Sequence, residues 1–482
     1  MNKLLIAVLL SFNCFYGFSQ TTYSLAEIID RAKEQSPVSK QAETRLETRF
    51  WQYRLFKANY NPQLALTGNL PGYNREFLQN RLDDGTISFI NREQTSSSLN
   101  LGLFQPIAWT GGNISLNSRI RQFNDLNQDI TQWNSTPLDV SWNQPLFAYN
   151  QLRWNKKIQP LRYEESKRSY VEELELVSRT AVSRFFDYLD AQVNLEIAQF
   201  NLANNDTIFL IEKGRYNIGT TSEDKLLQIE LQLLRSKQDV TQARLNLQTS
   251  RLELQTYIGL NEDVAFKLDL PEVIPEFIVM EEDALTYAIK NRADYLAFER
   301  RRLEADSEVA RAKGARFQMD LNASFGLNSA GSTFDDSYMD LNNQQVFNVS
   351  LNVPIVNWGR NEARMKTALA NKQLTDYVID QEKQSFELEV LTQVRQLEVL
   401  KQQINISGKS DEIAQKRYEV AQNRYLIGKI DITNLNIALT EKDTAKRSYL
   451  NALRDFWVAY YNLRKLTLYD FVNSRLLYTA EE

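Results

Sequence analysis

Seven residues, Val140-Ser141-Trp142-Asn143-Gln144-Pro145-Leu146, return 209 positions later as Val349-Ser350-Leu351-Asn352-Val353-Pro354-Ile355, and the same shift carries Arg215-Tyr216-Asn217-Ile218-Gly219 onto Arg424-Tyr425-Leu426-Ile427-Gly428. Two matches at one offset mark a duplicated chain, which obliges both halves to adopt one architecture. Earlier in each half the offset is about 256, as between Ala32 and Ala288, so the first half carries about 47 extra residues in its strand region. The division that follows is a leader at 1–19, a first repeat at 20–260, a linker at 261–282, a second repeat at 283–470 and a tail at 471–482.

Each half reads in the same order. A short helix (Leu25 to Gln35; Ala284 to Lys290) precedes one of about 24 residues (Val38 to Tyr60; Ala293 to Arg316), then strands, then a helix of about 65 residues (Leu152 to Tyr216; Gly359 to Tyr425). After an Ile-Gly turn a helix of about 38 residues returns (Ser222 to Ile258; Ile430 to Leu468). Such lengths are credible because the chain has only 16 Gly and 10 Pro in 482 residues, few helix breakers for its size. On the first returning helix Leu226, Ile229, Leu233, Ser236, Val240, Ala243, Leu247, Ser250, Leu254 and Tyr257 alternate at spacings of three and four, the period of side-by-side helix packing.

Between the helices the period falls to two. Phe317, Met319, Leu321, Ala323, Phe325 and Leu327 alternate with polar residues; so do Phe347, Val349 and Leu351, and Leu138, Val140 and Trp142. One face is oily and the other wet, over a length that suits a membrane-spanning strand. Gln63 to Leu70, Ser96 to Leu103 and Asn113 to Arg121 are weaker versions, with a hairpin turn expected at Thr110-Gly111-Gly112. Asn74 to Glu93 and Ser329 to Gln345 read as polar loops at one end of the strands, and Trp109, Tyr149 and Trp358 as interfacial aromatics at the other.

The chain has no His and one Cys, Cys14, which removes the usual residues for zinc, haem, thiol chemistry or a Ser-His-Asp triad; no cofactor and no metal are expected. With 56 basic and 61 acidic residues and no basic tract, nucleic acid is not an expected partner. Lys3, the apolar run Leu4 to Leu10 and Gly17-Phe18-Ser19 have the form of an export signal cut after Ser19, and the bulky context of Cys14 argues against a lipid anchor there.

In these features the chain resembles the TolC-like outer-membrane efflux proteins, an outer membrane factor family. The resemblance rests on Ser24-Leu25-Ala26-Glu27-Ile28 with Ser36-Pro37, on Gln144-Pro145-Leu146-Phe147, and on both Arg-Tyr-x-Ile-Gly turns, in this order and at this spacing. It implies an α+β membrane protein of duplicated helix-strand-strand-helix units whose homotrimer makes an outer-membrane β-barrel and a long periplasmic α-helical barrel. It further implies a passive exit duct, not an enzyme, set in outer-membrane lipid and working with a periplasmic membrane-fusion adaptor and an inner-membrane pump. The adaptor would dock on Arg215, Tyr216, Ile218, Gly219 and Thr220 to Ser222, and on Arg424, Tyr425, Ile427 and Gly428.

A tip gate is implied as well. Tyr425 matches the family's latch tyrosine, but Ile430 stands at the arginine position, and Asn434 and Ile437 stand where aspartates belong; Glu223, Asp224 and Asp431 are the nearby carboxylates for a ring. The lipid face is assigned to Phe317, Met319, Leu321, Phe325, Phe347, Val349, Leu351, Leu138, Val140 and Trp142. Alternatives within reach of the same residues are a protein-secretion duct, an exported coiled-coil scaffold or adhesin without a channel, and a hydrolase using a pair such as Asp335-Asp336.

Overall fold

The computed structural model describes residues 22–260, 266–271 and 273–478. The leader expected at 1–19 lies outside the described residues, as do parts of the 261–282 linker and of the 471–482 tail. The chain forms two compact units. One holds the residues up to Thr44, Tyr170–Asn291 and those from Leu388; the other holds Arg45–Ser169 and Arg292–Glu387.

The helical unit begins with β1 (Thr22–Tyr23) and α1 (Leu25–Gln35). The Ser24-x-x-Glu27 element is a capping box: the Ser24 hydroxyl accepts from the Glu27 amide while Glu27 accepts from the Ser24 amide at 2.8 Å. Ser36 closes α1 in an extended conformation and caps Ser39, and Pro37 opens α2 (Pro37–Ala58) at the position where its missing N–H costs nothing. The sheet of the other unit follows: β2 (Gln63–Arg81), β3 (Ile87–Ile107), β4 (Gly112–Asp125) and β5 (Ile130–Leu146). Next come α3 (Gln151–Asn217), α4 (Glu223–Tyr257), β6 (Lys267–Leu268), α5 (Glu281–Asn291), α6 (Ala293–Gly314), β7 (Gln318–Gly331) and β8 (Asn342–Asn352). Then α7 (Arg360–Leu426), α8 (Ile432–Thr467) and the short pair β9 (Tyr469–Asp470) and β10 (Arg475–Leu476) complete the described chain. Both α3 and α7 have 67 residues, which agrees with the expected long helices to within two residues at each end.

The expected stripe on α4 is buried at Ile229, Leu233, Ser236, Val240, Ala243 and Leu254. On α8 the burial is denser and includes Leu453, Phe456, Leu463 and Leu466, which are fully enclosed. Beside them lies an ionic cluster. Arg464 bonds Glu175 at 2.8 and 3.2 Å and Asp470 at 2.8 Å, and Lys33 reaches the same Glu175 at 2.9 Å, with Glu175 and Asp470 buried. Burial alone would raise the Asp470 carboxyl, but hydrogen bonds from Asn473 and the Arg464 charge hold it below its ordinary value.

The other unit carries one antiparallel sheet in the order β2-β3-β4-β5-β7-β8. The extra residues of the first repeat add a hairpin, so it contributes four strands and the second repeat two. The reversal expected near Thr110-Gly111-Gly112 exists, with Gly111 at φ +83°, and joins β3 to β4; a further turn joins β2 to β3. One expectation needs correction here: most of Asn74 to Glu93 is strand rather than loop, since β2 and β3 pair from Gln63↔Phe104 out to Arg81↔Ile87. A polar segment is held extended there by its ladder partner rather than by an apolar period. Ser329 to Gln345 is likewise part strand, with a single 3₁₀ turn at Asp336–Tyr338. Among the described residues no helix is long and apolar enough to cross a membrane.

Candidate functional site

The strands place their apolar residues in rows. Leu64 pairs with Leu103, Leu103 with Leu116, Leu116 with Val140 and Val140 with Phe325, a row across five strands. The next row runs Ile114, Trp142, Ala323, Phe347, and two more pairs, Leu321↔Val349 and Met319↔Leu351, extend the face. Leu138, Val140, Trp142, Phe325, Phe347, Val349 and Leu351 are exposed, while Met319 and Leu321 are half-buried. Phe317 stands just before β7 and packs on the ring of Phe147 at 5.7 Å, so it marks the strand's entry rather than its face. Leu64, Leu66, Leu101, Ile114 and Leu116, from the three segments read as weaker alternating strands, join this face although none was assigned to it; Gly68, Gly72 and the bulge between Asn69 and Gly72 break the period further along β2.

The opposite face is polar. Asn113, Asn143, Asn322 and Asn348 stand side by side across four strands, and Asn143 donates to Asn322. Asparagines at matched register satisfy one another along the ladder and leave amides free for water.

In the helical unit both Arg-Tyr-x-Ile-Gly segments end their helices identically. Thr220 N–H donates to the Arg215 carbonyl and Gly219 N–H to that of Tyr216, each at 2.9 Å; Lys429 donates to Arg424 at 2.8 Å and Gly428 to Tyr425 at 2.9 Å. This is the Schellman arrangement, with glycine in the left-handed region at φ +77° and +74°. The motif is thus first of all a helix stop. Ile218 and Ile427 project outward, 74% and 66% exposed, with Tyr216 exposed as well. Tyr425 differs: it is buried at 3% exposure in a cluster with Ile208, Ile229, Tyr418, Ile432, Leu435 and Leu439, with Ile430 packed on it.

Tyr425 is tied across the duplication. Its hydroxyl donates to Glu212 Oε1 at 2.8 Å, and Arg215 donates to that oxygen at 2.6 Å while its guanidinium lies 5.6 Å from the Tyr425 ring. Burial and the facing carboxylate push the Tyr425 hydroxyl well above its ordinary pKa. Burial would raise Glu212, but the hydrogen bonds from Tyr425 and Arg215 hold it below the usual carboxylate value. Sequence reading missed Glu212; the available signal was its place one turn before Arg215, where the second repeat has Ala421.

Asp431 is the N-cap of α8, accepting from the Asn434 amide at 2.9 Å and from its side chain at 2.8 Å. Glu223 and Asp224 are exposed in the first turn of α4, where Ser222 stands at the N-cap without a side-chain bond, and they suit the positive end of that helix. Lys442, which interrupts the apolar stripe of α8, lies between the rings of Phe200 and Tyr418 at 4.3 and 4.8 Å. Among the described residues no group of His, Cys, Asp and Glu is arranged to hold a metal.

Known proteins fit this construction. The fold is similar to the CmeC outer membrane channel of Campylobacter jejuni (TM-score 0.66, 15% identity, covering 94% of this chain and 87% of that one). It is also similar to the MtrE outer membrane channel of Neisseria gonorrhoeae in its open state (0.61, 18%, 94% and 91%) and to VceC of Vibrio cholerae (0.63, 15%, 92% and 95%). No curated protein matches the chain by sequence. The sequence model of the outer membrane efflux proteins matches both halves, at residues 28–260 and 285–467. Matched in both repeats by the family's sequence model, and similar in fold to outer-membrane channels, the chain belongs to the outer membrane efflux protein family.

Proposed function

We propose that three copies of this chain form the exit duct of a tripartite efflux system, pooling their sheets into one barrel and their helices into a periplasmic conduit. The observation that carries this reading is the sheet itself: its apolar face is uncovered and its two edge strands, β2 and β8, have no neighbours on their outer sides among the described residues. In lipid an open edge leaves backbone donors and acceptors unpaired at several kcal/mol each, so such a sheet needs further strands to close it. Six strands from each of three copies would make eighteen, enough to leave an aqueous channel bordered by the asparagine rows.

The helices support the same assembly. Val399, Ile406, Ile413 and Val420 follow one another at intervals of seven along α7, each more than half exposed. A heptad seam facing water is the surface a neighbouring helix covers. The turns at Gly219 and Gly428, each presenting an outward isoleucine, are the proposed adaptor contacts, and the inner-membrane pump supplies selection and energy.

Reconstitution in planar bilayers tests the reading. A threefold detergent-solubilised particle with a large, stable conductance is the expected result. A soluble monomer, or a rod without conductance, returns the chain to the scaffold or adhesin alternative.

A further inference from the structure

We infer that the strand-to-helix junction binds the phosphate of anionic phospholipid headgroups, an inference that rests on the sheet's apolar face lying in lipid. Within the sheet-bearing unit a cavity of about 1170 Å³ is bordered by α3, α6 and α7. Its lining includes six cationic side chains (Arg162, Arg301, Arg311, Arg360, Arg364, Lys372) but only two acidic ones, Glu304 and Glu308. Four of the six cations have carboxylate partners: Arg162 with Glu304, Arg311 with Glu308, Arg301 with Glu382, and Lys372 with Asp306. Arg360 and Arg364 have none among the described residues. They lie one turn apart on α7, directly after the segment that leaves β8.

The first repeat has the same feature. Arg153, Lys156 and Lys157 are exposed in the opening turns of α3, just after β5, with Lys157 5.3 Å from the Trp154 ring. Cations at the start of a helix oppose its dipole, so neither group is explained by the helix it sits on. Nor is the charge spread evenly over the unit. At the other end of the same strands the turns carry Asp83, Asp84, Asp129, Asp335, Asp336 and Asp340. The exposed Trp109, Phe147, Ile355 and Trp358 share the cationic end, where aromatic and aliphatic side chains meet the boundary of a bilayer. Unpaired Arg and Lys at that depth face the headgroup layer, and guanidinium pairs well with phosphate oxygens.

The test titrates delipidated full-length protein in neutral detergent with short-chain phosphatidylglycerol, short-chain phosphatidylcholine or inorganic phosphate, reading bound lipid by native mass spectrometry. Wild type should prefer phosphatidylglycerol by about tenfold or more, a preference weakened by salt. The double variant Arg360→Gln, Arg364→Gln should lose most of it, and Arg360→Lys, Arg364→Lys should retain most of it. Equal binding of the two lipids, an unchanged preference in the Gln variant, or equal protection by inorganic phosphate would overturn the inference. Insertion into phosphatidylcholine vesicles is measured separately: insertion without headgroup preference sinks the lipid site alone, and failure to insert into any vesicle sinks the membrane reading beneath it.

Discussion

The Tyr425 hydroxyl and the Glu212 carboxylate, 213 residues apart in the chain, are joined by a buried hydrogen bond of 2.8 Å that links the end of the second long helix to the end of the first. Arg215 shares the same carboxylate oxygen, so the three side chains form one unit at the tips of two hairpins. Tyr216 occupies the position equivalent to Tyr425 by the 209-residue shift but is exposed, so the duplication has produced a bond between unlike positions. Tyr425→Phe keeps the ring in its cluster and removes only the donor. A hydrogen bond to a charged group contributes about 1.5–3 kcal/mol, so the hairpin tips should separate more readily. Single-channel recordings should show a higher mean conductance or more frequent opening than wild type; unchanged recordings would exclude a gating role for the pair.

The same pair gives a pH dependence. Glu212 is held below its ordinary value in the folded state, so its contribution is present above about pH 4.3 and is lost as pH falls through the lower folded value. Tyr425 is shifted upward, so it keeps its proton, and its role as donor, below about pH 10. The tip contact should therefore be intact from mildly acidic to mildly alkaline conditions and weaken in strong acid. Conductance measured from pH 7 down to 3 should rise at the acid end in wild type, and that step should be absent in Glu212→Gln.

At Gly219 and Gly428 the constraint is the backbone and not space. A Cβ added at either position meets nothing within 4 Å, yet both residues have positive φ. Substitution by Ala should cost about 1–2 kcal/mol at each turn, and by Asn distinctly less, as measured by thermal unfolding. Adaptor binding separates the turn from the docking role. If the outward Ile218 and Ile427 are the contact, charging both should abolish adaptor capture while the unfolding temperature stays put.

Helices and turns were legible because each is specified locally: scarce breakers, stripes at three and four, a glycine stop at 219 and 428. The added hairpin was legible in its turn at Thr110-Gly111-Gly112, but the full length of its strands was not. Residues 74–81 carry Asn, Arg, Glu and Gln with Phe77 and Leu78 adjacent, a pattern with no period of two, and they are extended because residues 87–94 lie alongside. Strand structure fixed by a partner cannot be read from the strand itself. Glu212 was hidden for a similar reason: its partner comes from the other repeat.

Charge on the sheet should act by face. Val349→Arg puts a cation on the apolar side and should cost about 2–4 kcal/mol in a bilayer near the midplane, whereas Asn348→Arg, one residue away on the polar side, should insert normally. Leu66→Arg asks whether the extra hairpin shares the lipid face. A loss of outer-membrane insertion comparable to that of Val349→Arg means all six strands span the membrane; a neutral result confines the spanning strands to β4, β5, β7 and β8.

Glu175 holds both Arg464 and Lys33 and is itself buried. Removing one partner of a buried ionic group leaves the others uncompensated, so Glu175→Ala should destabilise by about 3–5 kcal/mol. Calorimetry of the purified protein reads this directly. A change below about 1 kcal/mol would mean that water reaches Arg464 and that the cluster is weaker than its enclosure implies.

The exposed seam on α7 provides the last prediction. Val399, Ile406, Ile413 and Val420 leave an apolar line in water at heptad spacing, which only another helix at the same period can cover efficiently. Ile406→Glu with Ile413→Glu places two charges on that line without touching a buried residue of the chain itself, so each copy should still fold with native helix content. Association should fail instead. Size-exclusion chromatography with light scattering in detergent should report trimers for wild type and monomers for the double variant, and bilayer conductance should vanish with the trimer. A trimeric double variant would mean that the assembly contacts lie elsewhere, with the sheet edges β2 and β8 as the remaining place to look.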